Sequence, residues 1–291
     1  MNSYALFLGC TIPAREPSYE VSARKAMKAL DIELNDMKGS TCCAPIPIES
    51  LDYMTSLSTA AYNVALAEEM NMDMVTLCNG CFQNLCRTNE VLKKDAHLRE
   101  KVNEVLAETG KRFRGTKNVY HYLQVLNRDI GREHIKESMV RSLKALKVAP
   151  FYGSHLLKPS EVLRFDEFED PHVLDDLIAA TGAQPVQYLY KNRCCGGLLR
   201  GTADDLAVGI ARRVISSAVK AKADCMTTVC PFCWLQLDTG QLEIRRTFNE
   251  AYNIPVLHYP ELLCLALGIE PKELGLQTHR VRVDPLLQKI A

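Results

Sequence analysis

Residues 192–238 read NRCCGGLLRGTADDLAVGIARRVISSAVKAKADCMTTVCPFCWLQLD. An adjacent cysteine pair and two glycines open this stretch, an Ala-rich helical segment (204–221) and a short apolar run (226–229) follow, and Cys230 and Cys233 close it as C-x-x-C. The same text occurs earlier in the chain. Cys42 and Cys43 are followed by a helical segment at 54–70, the strand-like run DMVTL (73–77), and Cys78 and Cys81. Each of these four second-half cysteines lies 152 residues beyond its first-half mate. A long internal repeat is read first because it sets the architecture.

The repeat extends outward from the thiols. Strand-like YALFLG (4–9) and APFYG (149–153) open the two halves, and VYHYLQVL (119–126) and VLHYPELL (256–263) close them. Strands alternating with amphipathic helices predict an α/β fold. We expect two pseudo-symmetric domains, residues 1–145 and 146–291, each a small, mainly parallel sheet flanked by helices. In such sheets ligands sit beyond the carboxyl ends of the strands, where Cys10, Cys78 and Cys230 fall.

The chain has 291 residues, 47% hydrophobic and 24% charged, with 35 basic against 35 acidic side chains. That balance gives no reason to expect a nucleic-acid or anionic-membrane partner. MNSYALFLGC lacks a basic leader, and IPVLHYPELLCLALGI (254–269) is too short and too polar to span a bilayer. The expected location is cytoplasmic, where thiols stay reduced, so twelve cysteines point to metal or redox chemistry before disulfides.

Adjacent side chains in a strand face opposite ways, so a cysteine pair serves one centre only from a turn. Gly196-Gly197 and Pro45 supply the interruptions. The first half offers five thiols, Cys10, Cys42, Cys43, Cys78 and Cys81; the second offers Cys194, Cys195, Cys230 and Cys233. A structural zinc and an ordinary cubane cluster each take four ligands. Five suggest an iron–sulfur assembly of unusual shape in which one thiolate bridges two irons, with a structural zinc as the alternative.

The pattern C-x31-CC-x34-C-x-x-C, with CCGG, CPFCWLQLD and SHLLKPS in the second half, resembles the CCG-domain proteins, and among them the B subunits of heterodisulfide reductases. The resemblance covers essentially the whole chain. It implies two noncubane [4Fe–4S] clusters facing each other across the halves, which reduce the mixed disulfide of coenzyme M and coenzyme B. Each iron site would capture one sulfur and supply one electron. It also implies a ferredoxin-like C subunit and a flavin-bearing A subunit as partners, with a hydrogenase or formate dehydrogenase upstream. This sequence lacks a ferredoxin-type C-x-x-C-x-x-C-x-x-x-C-P motif, so electrons would arrive from such a partner.

One departure matters. Ser154 stands where the family has a cysteine, and no cysteine lies between 87 and 193 to replace it. A serine hydroxyl is far less acidic than a thiol, so Ser154 as a ligand, and the type of the second cluster, stay open. In the family the histidine at position 155 lies by the active cluster, and His155 is the candidate proton donor to a nascent thiolate. Lys158, Arg193 and Arg200 flank the second-half motif and are candidates for the substrate's sulfonate and phosphate. His121 and His258 occupy matching places, where a helix-start hydrogen bond is the favoured reading. Cys86, Cys225 and Cys264 read as buried small hydrophobes, and Trp234 as a shield beside Cys233. Two competing functions are a CCG-type electron-transfer protein, as in lactate-oxidising or succinate–quinone systems, and a zinc-bearing scaffold.

Overall fold

The computed structural model describes residues 2–290. Two four-stranded sheets are built from β1 (Asn2–Phe7), β2 (Ile32–Asp36), β3 (Met74–Thr76) and β4 (Val119–His121), and from β5 (Lys147–Phe151), β6 (Gln184–Pro185), β7 (Cys225–Thr228) and β8 (Val256–His258). Their orders are β2-β1-β3-β4 and β6-β5-β7-β8, and every pairing is parallel. The expected α/β architecture is therefore present twice, with the same topology, and both sheets are wholly parallel. Parallel strands need crossover helices, which bury the sheet on both faces. Accordingly the central strands contain runs such as Ala5-Leu6-Phe7 and Met74-Val75 that are at most 2% exposed.

The repeated helical segments form where their sequences begin them. Tyr53–Glu69 starts after Asp52, whose carboxylate accepts the Thr55 N–H at 2.8 Å. Asp204–Lys220 carries Asp204 and Asp205 in its first turn, where the helix dipole favours anions. In this strand order the direction of winding reverses between β1 and β3, and again between β5 and β7. Those reversals are the switch points at which open α/β sheets bind ligands. The thiol motifs lie there.

The halves interlock. Helix Asn79–Lys94, which follows Cys78, packs on the short second-half helices Ser154–Leu157 and Ser160–Leu163, while second-half helix Tyr259–Ala266 packs on Pro17–Ala29. Polar bonds cross the seam: Asn79 Nδ2 donates to Tyr152 O at 2.6 Å, and Gln83 Nε2 to Lys158 O at 2.7 Å. The Cys264 thiol donates to Ser22 O at 3.2 Å, and that of Cys86 to Val119 O at 3.3 Å. With Cys225 these are buried thiols away from the cleft described below.

Candidate metal centre

Gly9 and Gly153 each lie two residues past the end of β1 and β5, with φ of 69° and 70°. A side chain at either place would meet a sulfur: a Cβ on Gly9 would lie 3.1 Å from Cys81 Sγ, and one on Gly153 3.1 Å from Cys233 Sγ. Glycine permits both the left-handed turn and the close approach. Cys10 and Ser154 follow these glycines, and Cys78 and Cys230 begin the helices after β3 and β7. One cleft between the sheets collects them. It has an empty volume of about 870 Å³, including its open mouth, and is lined by Cys10, Cys42, Cys43, Cys78, Cys81, Cys194, Cys195, Cys230, Cys233, Ser154 and His155. Leu8, Pro45, Ile46, Leu198 and Phe232 make its apolar lip.

Within each adjacent pair the first cysteine is exposed and the second buried. Cys194 and Cys195 sit in a turn, where their sulfurs accept the N–H groups of Gly196 at 3.3 Å and Gly197 at 3.4 Å. Hydrogen bonds received from Cys42 and Cys81 draw the Cys43 thiol down to about 4, and those from Cys194 and Cys233 lower Cys195 in the same way. The donors Cys42 and Cys194 are pushed up in return. Burial opposes ionisation of Cys230, but bonds from Cys233 and Cys78 outweigh it and hold that thiol low. Thiol–thiol neighbours thus link eight cysteines in succession: Cys42, Cys43, Cys81, Cys78, Cys230, Cys233, Cys195, Cys194. Cys10 stands beyond one end, and Ser154, bonded to Cys194, beyond the other.

Among the described residues no three His, Cys, Asp or Glu side chains are grouped as they are around a single metal ion. The thiols make a linked succession and not a one-ion cage. The donor set fits iron–sulfur chemistry: nine cysteine thiols, soft ligands, line the cleft with His155 beside them, three of the thiols are held low, and backbone N–H groups point at sulfur, as they do around protein-bound clusters.

The family model for the CCG cysteine-rich domain matches twice, over residues 4–86 and 148–238, and each match contains one copy of the thiol motif. The chain belongs to the CCG family. It is 40% identical over 294 residues to the B subunit of the ferredoxin:CoB-CoM heterodisulfide reductase of Methanosarcina mazei, with 100% of this chain and 97% of that protein covered. It is 34% identical over 278 residues to the 8-methylmenaquinol:fumarate reductase membrane anchor subunit of Wolinella succinogenes, with 96% of each covered. A crystal structure of a hypothetical protein from Helicobacter pylori shares the fold, with a TM-score of 0.79 at 16% identity. That match covers 97% of this chain and about half, 52%, of the other. No helix among the described residues of this CCG protein is long and apolar enough to cross a membrane.

The other candidate residues are placed unevenly. His155 lines the cleft, and its Nδ1 lies 3.4 Å from Ser154 Oγ. The three cations are not in the lining. Arg200 is engaged by Glu243 at 2.5 Å, Gln236 at 2.7 Å and Asp204 at 3.6 Å. Lys158 places its ammonium 5.1 Å from the centre of the Phe168 ring. Arg193 is exposed beside Cys194. Trp234 does not line the cleft; it is buried behind it, donating to Val256 O at 2.8 Å and stacking on His258. The His121 ring makes the expected helix-start bond, accepting the Leu123 N–H at 3.4 Å. Both histidines also donate the backbone N–H to the side chain three residues on, His121 to Gln124 at 2.9 Å and His258 to Glu261 at 2.8 Å.

Sequence reading missed Asn63, Asn79, Asn84 and Glu16, all buried about the site. Asn84 holds Ala44 O at 2.7 Å as well as Cys43 O, and Asn63 holds Cys42 O at 3.1 Å. The available signal was a polar residue on the apolar face of a helix, which costs stability unless it is paired.

Proposed function

We propose that the chain is the catalytic iron–sulfur component of a heterodisulfide reductase complex, reducing the coenzyme M–coenzyme B disulfide. The observation that carries this reading is the single cleft in which two repeated thiol sets face each other from opposed switch points. Cys10, Cys42, Cys43, Cys78 and Cys81 would hold one [4Fe–4S] centre, of noncubane type. Cys194, Cys195, Cys230 and Cys233 would hold the other, with Ser154 Oγ in the place of a fifth thiol. Such centres, when bound, supply one-electron chemistry at sulfur.

The net reaction consumes two electrons and two protons and converts one disulfide into two thiols. An iron–sulfur partner of the ferredoxin-like C type supplies the electrons one at a time, alongside a flavin-bearing A subunit. The chain's own residues do the rest. The apolar lip made by Leu8, Pro45, Ile46, Leu198 and Phe232 excludes water from a seated disulfide. His155, in the lining, donates a proton to a departing thiolate sulfur. Of the three cations, Arg193, exposed and next in sequence to the cleft-lining Cys194, is our candidate for an anionic end of the substrate; Arg200 and Lys158 already have partners.

Anaerobically purified protein is expected to carry about eight irons, the content of two four-iron clusters, and to develop a new EPR signal when coenzyme M thiol is added to the oxidised form. About four irons would remove the second centre. The similarity to the fumarate reductase anchor favours one other reading, a CCG electron-transfer protein without disulfide chemistry. A loaded protein whose EPR spectrum ignores the thiol would establish that reading instead.

A further inference from the structure

His121 and His258 end the last strand of their sheets at matching places in the repeat, so each is the control for the other. The His121 ring is fully used. Its Nδ1 accepts the Leu123 N–H, and its Nε2 donates at 3.3 Å to Val229 O, the carbonyl before Cys230. The matching carbonyl before Cys78, Leu77 O, is held instead by the Tyr19 hydroxyl at 2.6 Å. Tyr19 lies flat on the His258 ring, with centroids 3.7 Å apart and planes 5° from parallel. His258 is thereby displaced from the bracing position. Its Nε2 lies 3.0 Å from Oε2 of Glu16, and the two side chains are 0% and 1% exposed.

Neither ring nitrogen of His258 and neither carboxyl oxygen of Glu16 makes a well-directed hydrogen bond. Unmet buried polar atoms cost stability, and a native structure that retains them calls for an explanation. Bracing is not that explanation, because Tyr19 does the bracing. Trp234 separates the His258 ring from that of His279, at 5.5 and 5.1 Å, with its N–H on Val256 O. His279 Nε2 is 3.0 Å from Oε1 of Glu261, whose other oxygen holds the His258 backbone N–H.

We propose that Glu16 and His258 form a redox-linked proton site: as one electron enters the second-half centre from an iron–sulfur donor, one proton enters and is held on the His258 ring. The proposal rests on the iron–sulfur reading above. Its balance is one electron and one proton in, one N–H bond formed, and the reverse on oxidation. Adding a charge to a buried site without a counter-charge is costly where the dielectric is low. Burial keeps the proton on Glu16 up to about 10 and drives His258 down to about 3, so the pair rests at neutral pH as carboxylic acid and neutral imidazole, able to take one proton. Cys230, Glu261, Arg15 and Asp238 act on Glu16, and Glu261, His279 and Cys230 on His258. Glu261 and Asp238 act on His279.

The test is a reductive titration of the intact, anaerobically purified chain at several pH values, read by EPR and visible absorption. In wild type one centre's potential is expected to fall about 59 mV per pH unit, the one-electron equivalent of a tenfold change in proton activity. His258→Gln should flatten that dependence at unchanged iron content. His121→Gln, the repeat mate, should keep it. A pH-independent wild-type potential, an unaltered slope in His258→Gln, or an equal loss in His121→Gln overturns the proposal while leaving the iron–sulfur reading intact. Protein without iron overturns both. If His258→Gln does not fold, redox-difference infrared spectra of wild type with isotope-labelled histidine decide. Reduction must convert a neutral imidazole band to the cationic form, and an unchanged band sinks the idea.

Discussion

The turn that carries Cys42 and Cys43 and the turn that carries Cys194 and Cys195 hold matching places in the repeat, yet different forces fix them. In the first, Ala44 adopts φ 49°, a left-handed conformation unfavourable for a residue with a Cβ. Buried amides hold it there: Asn84 and the Ser56 hydroxyl reach Ala44 O at 2.7 Å, and Asn63 reaches Cys42 O. In the second, Gly196 takes the same position without that strain. This turn's own bonds are from Gly196 N–H and Gly197 N–H to the two sulfurs, and Arg200, a few residues on, is half-buried and tied to Gln236 and Glu243. The helices after each C-x-x-C differ as well. Asn79–Lys94 is continuous, whereas the stretch from Pro231 to Phe248 is broken by a π-turn at Leu235–Thr239 that buries Asp238 against the N–H groups of Arg280 and Val281. The repeat thus keeps where the thiols stand and varies how firmly they are held. The first-half turn is anchored by buried side-chain amides, while the second-half turn has partly solvated ion pairs of Arg200 nearby.

The largest expected effect tests whether the halves are independent. Cys43→Ala and Cys195→Ala should each lose about half of roughly eight irons per chain. If either variant loses all of its iron in quantitation, the two centres assemble together and the comparison fails. Anchoring comes next. Asn84→Ala leaves the buried Cys43 carbonyl without its Asn84 donor and Ala44 O with Ser56 alone, and is expected to cost about 2 kcal/mol in denaturant unfolding. Arg200→Ala, which removes half-exposed pairs, should cost about 1 kcal/mol or less. Equal costs would erase the distinction between an anchored and a compliant turn.

A third prediction concerns the proton that only the second-half histidine meets. Glu16 releases its proton near 4.5 in the unfolded chain and near 10 in the folded one, chiefly because of burial. Its contribution is therefore fully present below 4.5 and is lost as pH rises through 10. Stability should fall over this window by at most about 1.4 kcal/mol per pH unit. Glu16→Gln should flatten the decline in thermal unfolding; an unchanged slope would show that Glu16 does not titrate there. The smallest effect is Ala44→Gly, which relieves the left-handed strain and should stabilise the chain by about 1 kcal/mol. A loss of stability would place the anchoring of that turn elsewhere.

Much of the site was legible in the sequence because duplication leaves a fixed interval. The 152-residue offset located eight thiols without any knowledge of their surroundings. The substrate cations were not legible. Lys158, Arg193 and Arg200 sit beside the second-half motif in sequence, but nearness along a chain does not say which way a side chain points, and Phe168 and Glu243 engage two of them. Asn84 was missed because a buried amide on a helix gives no periodic signal of its partner.

Thiol spacing, the repeat and the alternation of strand and helix determined by themselves that this is a duplicated parallel α/β protein with its cysteines at strand ends. These are local patterns, with periods that the backbone imposes. The tertiary structure alone decided that Tyr19 takes the brace His258 would have made and that Glu16 meets His258 across 242 residues. Such contacts arise from packing the two halves against each other, and no local pattern along the chain encodes which distant side chain completes a buried pair.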